Sequence, residues 1–167
     1  MKNPFFTFLL FALFAQSSFA QVPLKVGGNQ LNVGVGFSGW GVPVHIGFDH
    51  GFKRDWTLGG EFSYRSFNND YDRIRYRHSI FSLSANVNYH FNTILDIPPA
   101  WDLYAGANVG FYAWRSPNYY RGRNYSGVGA GIQVGGRYFF NRNFGVNLEF
   151  GGATVTSGGK FGITFIF

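Results

Sequence analysis

The 167-residue sequence has no cysteine, few charges and few of the patterns that mark catalytic or metal sites. Without cysteine there is no disulfide to hold an exported fold together and no thiol to carry a lipid anchor. Charged residues make up only 13% of the chain, while aromatics reach 21% and there are 24 glycines. That balance excludes a disordered chain, which needs the opposite composition. His45, His50 and His90 are scattered and lack the spacing of metal ligands. The Gly-x-Gly runs fall inside strand-like segments, so no phosphate-binding loop is expected. Beyond the N-terminal segment no run approaches the ~18 apolar residues of a membrane-crossing helix.

The N-terminal segment has a separate meaning. Lys2 gives a positive start, Phe5 to Ala15 is apolar apart from Thr7, and Ser18-Phe19-Ala20 is a small-any-small cleavage site. This is the three-part pattern of a secretory signal peptide. Residues 1–20 are therefore expected to be removed, leaving residues 21–167 as one domain with a net charge of +5. An exported chain without a spanning helix can enter a membrane only as a barrel, because lipid offers no partners to unpaired backbone groups.

Eight segments alternate with a period of two and have the length of tilted spanning strands. They are Leu31–Ser38, Val42–Phe52, Trp56–Phe67, Ser79–Phe91, Trp101–Trp114, Tyr125–Phe140, Phe144–Gly151 and Lys160–Phe167. The fourth is the cleanest: Phe81, Leu83, Ala85, Val87, Tyr89 and Phe91 alternate with Ser82, Ser84, Asn86, Asn88 and His90. Two long polar loops are expected at Asn68–Arg77 and Arg115–Asn124. A connector from Asn92 to Ala100 holds Pro98-Pro99, which cannot pair as central strand. Connections after the second, fourth and sixth segments fall on the inner side, and the longer charged loops fall on the outer side.

A soluble sandwich or lipocalin-like barrel would turn the apolar faces inward. The opposite faces argue against it, because they carry many glycines together with Glu61, Glu149, Arg65, Arg137 and Lys160. Glycine weakens a solvent-facing strand and packs nothing there. Inside a narrow eight-stranded barrel it makes room for long side chains from across the lumen. Trp56, Tyr89, Phe91, Trp101, Trp114, Tyr138, Phe140, Phe144 and Phe167 gather at segment ends, as an interfacial girdle requires. The expected fold is all-β: a closed eight-stranded antiparallel up-and-down transmembrane β-barrel.

The final octapeptide resembles the C-terminal assembly signal of bacterial outer-membrane barrels, with Lys160, Gly162, Phe165 and Phe167 at its defined positions. The chain from Gln21 onward, including Trp101-Asp102-Leu103-Tyr104-Ala105-Gly106-Ala107-Asn108-Val109-Gly110, resembles the small outer-membrane proteins of the OmpX type and the OmpA transmembrane domain. The resemblance implies outer-membrane localisation in a Gram-negative bacterium, a monomer, and insertion by the barrel-assembly machinery through the last strand.

Two groups of residues are candidates for function. Glu61, Arg65, Arg137, Glu149 and Lys160 all face the lumen and are expected to form a charge network, since a buried charge needs a partner. Such a network plugs the barrel or, alternatively, gates a small ion pore. Arg73, Arg75, Arg77, Arg115, Arg121 and Arg123 hold six of the ten arginines in the two long outer loops, with tyrosines interleaved. Guanidinium groups bind phosphate and carboxylate, so lipopolysaccharide or another acidic surface is the expected partner. Nucleic acid is not, because these loops face outside the cell. A lipid A-modifying enzyme is the rival class. His78-Ser79 is its candidate pair, but sequence neighbours on a strand point to opposite faces, and no carboxylate is placed to orient the histidine. An apolar-ligand carrier conflicts with the polar inward residues. No catalytic, cofactor or metal site is expected.

Overall fold

The computed structural model describes residues 24–71, 74–117, 126–153 and 157–167. Eight strands close into one antiparallel barrel: β1 (Asn29–Ser38), β2 (Val44–Lys53), β3 (Trp56–Tyr71), β4 (Ile74–His90), β5 (Trp101–Arg115), β6 (Gly127–Phe139), β7 (Phe144–Ala153) and β8 (Ser157–Ile166). Each strand pairs with its sequence neighbours, and β8 closes on β1 from Gln30↔Ile166 to Ser38↔Gly158. Closure pairs every strand on both sides through the body of the barrel, which is what a sheet in hydrocarbon needs, while the outer ends of β3 and β4 pair only with each other.

The side-chain pattern is inverted relative to a soluble barrel. Val33, Val35, Ile46, Leu58, Leu83, Val109, Ile132 and Ile163 are between 40% and 73% exposed on the outer face. Thr57, Asn88, His90, Asp102 and Thr164 are at most 1% exposed in the lumen. Alternation therefore sends hydrocarbon outward to lipid and polar groups to the centre. Inward glycines provide the space for this polar core. A Cβ at Gly135 would fall within the Tyr104 ring, and one at Gly59 would collide with the side chains of Asp49 and Asn86.

Three features differ from the sequence expectations. The segment Asn68–Arg77 is mostly strand, since β3 and β4 stay paired from Phe67↔His78 to Tyr71↔Ile74. Ladder hydrogen bonds need no apolar face, so the hairpin continues beyond the hydrophobic pattern. The connector after β4 contains a short helix, α1 (Asn92–Leu95). Its Asn92 side chain bonds the backbone of Trp101 and Leu103, and Thr93 Oγ1 donates to Asp55 Oδ1 at 2.6 Å. Asp55 sits in the β2–β3 turn at φ 62°, a left-handed conformation that Asp tolerates. The inner end is thereby cross-tied. Finally, Trp114 does not face lipid as the girdle residues do, in contrast to pairs such as Trp56–Tyr89 and Trp101–Tyr138 at the inner end. It lies at the outer mouth, edge-on to Phe67 and to Trp40 of the β1–β2 loop.

Candidate functional site: the lumen and its outer mouth

Two charge clusters occupy the lumen. In the lower one Arg137 on β6 donates from Nη1 to Asp102 Oδ2 at 2.8 Å and from Nη2 to Asp49 Oδ2 at 3.0 Å. All three residues are at most 3% exposed. Asp102 also meets His90 Nδ1 at 2.7 Å, and His90 Nε2 lies 3.1 Å from Thr57 Oγ1. Asp49 accepts from Asn32 Nδ2 at 2.9 Å. Asn32 in turn accepts from Thr164, and Thr164 from Asn147. This chain of bonds ties β1, β2, β7 and β8 to the strands that face them.

In the upper cluster Lys160 Nζ lies 2.6 Å from Glu61 Oε2 and 2.7 Å from Glu149 Oε1. Tyr104 joins the two clusters. Its hydroxyl donates to Glu149 Oε2 at 2.8 Å, and its ring lies 4.2 Å from the Arg137 guanidinium carbon, within cation–π range.

The five lumen residues singled out in the sequence thus divide. Glu61, Glu149 and Lys160 meet directly. Arg137 is linked to them through Tyr104 and takes Asp49 and Asp102 as its own carboxylates. Arg65 stands higher, bonded from Nη1 to Ser38 Oγ at 3.0 Å, with no carboxylate within ion-pair distance among the described residues. Asp49, Asp102, Tyr104 and His90 complete the lumen and were not assigned to the network from sequence. For Asp102 the signal was present, since it is the inward cross-strand partner of Arg137. For Asp49 only closure of the ring brings β2 to face β6.

Thr57, His90 and Asp102 have the connectivity of a hydroxyl–imidazole–carboxylate relay. Thr57 is 1% exposed, and the bonds of this relay hold the side chains of β3, β4 and β5 together in the lumen. His78 and Ser79 point to opposite faces. His78 is buried at the mouth, stacked on Phe67 and 2.7 Å from Ser116 Oγ through Nδ1. Ser79 lies 3.4 Å from the hydroxyl of Tyr64 on the outer face. Among the described residues no three His, Asp or Glu side chains converge to hold a metal ion.

Of the outer-loop arginines, Arg77 and Arg115 are exposed near the outer end of β4 and β5. Both follow the outward alternation of their strands, and the Arg115 guanidinium carbon lies 5.6 Å from the lipid-facing ring of Phe81. Arg73, Arg121, Arg123 and the side chain of Arg75 lie outside the described residues. Lys160 on β8 points inward, while Phe165 and, just past the strand, Phe167 are 48% and 61% exposed. Gly162 lies so close to Val33 and Gly34 that a Cβ would strike the β1 backbone.

Several solved barrels share this architecture. OprG from Pseudomonas aeruginosa aligns with a TM-score of 0.67 at 10% identity, over 86% of this chain and 97% of that one. Ail of Yersinia pestis aligns with a TM-score of 0.56 at 14% identity, over 86% of this chain and all of that one. The Neisserial surface protein A aligns with a TM-score of 0.54 at 12% identity, over 83% of this chain and 93% of that one. At these identities the likeness is one of fold. A comparison with curated proteins finds no match. The inverted side-chain pattern, the closed ring of eight strands and a match over residues 6–164 to the family described as "Outer membrane protein beta-barrel domain" agree, and the chain belongs to that family of bacterial outer-membrane barrels.

Proposed function

We propose that this protein is a surface-interaction barrel whose lumen, plugged by its charge clusters, acts as scaffold and whose arginine-bearing outer rim binds the phosphates of lipopolysaccharide. The observation that carries this reading is the placement of Arg77 and Arg115. Both are exposed and face outward at the outer ends of neighbouring strands, and the Arg115 guanidinium reaches the lipid-facing ring of Phe81. A guanidinium at the edge of the acyl layer is set to pair with a lipid-borne phosphate. Ail, a barrel of similar fold, has been solved in complex with the heparin analogue sucrose octasulfate, a ligand of the same polyanionic class. Arg73, Arg75, Arg121 and Arg123 lie close to Arg77 and Arg115 in sequence and add to the positive charge there. Export with cleavage after Ala20, insertion by the barrel-assembly machinery through Lys160, Gly162, Phe165 and Phe167, and a monomeric state complete the reading.

The test compares binding of the folded protein to vesicles with and without lipopolysaccharide. The wild type binds the lipopolysaccharide vesicles, and an Arg77→Gln/Arg115→Gln double variant loses most of that binding. Equal binding by the double variant would overturn the rim assignment. Steady single-channel currents in planar bilayers, abolished by Glu61→Ala, would favour a small ion pore instead.

A further inference from the structure

Above Lys160 the lumen holds a cavity of about 100 Å³, room for several waters or one small organic molecule. Its floor is the Lys160 cluster. The strand register stacks Glu61, Ser63 and Arg65 upward along one wall, opposite Ser84, Ser82 and Ile80 of β4, and Tyr112 adjoins Ser82.

The two ends of this cavity have opposite unsatisfied polarity. At the top Arg65 is 6% exposed, its Nε–H has no acceptor, and no carboxylate lies within ion-pair distance among the described residues. By contrast, Lys160 and Arg137 each hold two carboxylates. At the floor one ammonium faces two carboxylates, which leaves one negative charge in excess. Glu61 holds Lys160 through Oε2 alone, and the buried Asn86 Oδ1 and His45 Nδ1 have no partner.

We propose that this cavity binds a small zwitterion, its carboxylate on Arg65 and its ammonium on Glu61 and the neighbouring floor acceptors. A simple anion would suit Arg65 but face the negative floor. A simple cation would suit the floor and leave the guanidinium uncompensated. A zwitterion answers both ends and brings no net charge into a poorly screened interior. The planar fork of Arg65 matches a carboxylate, and Ser63, Ser82 and Tyr112 offer hydroxyls along the wall. The site is independent of the outer rim and stands or falls separately from it.

The full chain, folded in a non-ionic maltoside, is titrated with glycine, acetate and methylammonium while backbone amide shifts of Ser63, Ser82 and Ser84 are followed. Glycine saturates about tenfold more tightly than either half-ligand, and Arg65→Met and Glu61→Gln each weaken it by about tenfold, the equivalent of one lost charge-assisted contact. Arg77→Gln/Arg115→Gln leaves it unchanged. Absence of a saturable shift, acetate binding as tightly as glycine, or undiminished binding by Arg65→Met would each overturn the proposal. Where Arg65→Met does not fold, Arg65→Lys keeps the charge and loses the fork. About threefold weaker glycine binding is then expected, and unchanged affinity overturns the site.

Discussion

Arg137 on β6 donates to Asp49 on β2 at 3.0 Å, and these strands stand opposite each other in the ring of eight. One side chain thus spans the lumen and holds the far wall, which no strand-to-strand ladder can do. A guanidinium this deeply buried also makes both partners interdependent.

The two replacements are not equivalent, because Arg137 also holds Asp102. Arg137→Met is expected to cost about 3–5 kcal/mol, since it leaves Asp49 and Asp102 buried without their cation. Asp49→Asn leaves Arg137 paired with Asp102 and should cost less, and adding it to Arg137→Met should recover part of that loss. Urea unfolding in phospholipid vesicles, followed by tryptophan fluorescence, measures both.

Lys160 separates two carboxylates that would otherwise face each other. Lys160→Met should therefore destabilise by about 1–3 kcal/mol, less than breaking a fully buried pair, because the lysine side chain is 26% exposed. Adding Glu61→Gln and Glu149→Gln should restore stability in refolding from urea. If the restored protein still fails to assemble in cells, the lysine has a second role in the assembly signal. If it assembles normally, the ion pairs account for it.

Gly135 is required by the ring of Tyr104 behind it. Gly135→Val should overpack the lumen and cost about 1–3 kcal/mol. Gly127 has open space around its Cβ position, and Gly127→Ala should change stability by no more than about 0.5 kcal/mol. Parallel unfolding titrations compare the two.

The lipid face gives a depth-dependent prediction. Leu83, 65% exposed near the middle of the spanning part of β4, is expected to cost about 2–4 kcal/mol as Leu83→Arg. Arg77→Leu, at the rim, should be close to neutral. A similar cost at both sites would mean that the apolar band is not where the barrel meets hydrocarbon.

The strand pattern was legible because each apolar face is continuous. Phe81 through Phe91 shows its register by alternation alone. The outer part of the β3–β4 hairpin was not legible, since Asn68 to Arg77 has no apolar face to display and is held by backbone pairing. Trp114 departs from the girdle for a related reason. An aromatic at a strand end suggests a girdle, yet its position in the alternation turns it toward the mouth, where Phe67 and Trp40 receive it.

The lumen shows the same division. Period-two alternation, visible in the chain itself, was enough to assign Glu61, Glu149, Lys160, Arg65 and Arg137 to the inside. Which of them touch depended on strand stagger and on β8 meeting β1. These relations set the height of each residue along the barrel axis and the strand that faces it. Local sequence carries the face of a side chain because the pleat is local. Its partner across the lumen is settled only by closure, which is why Arg137 found Asp49 and Arg65 was left facing a cavity.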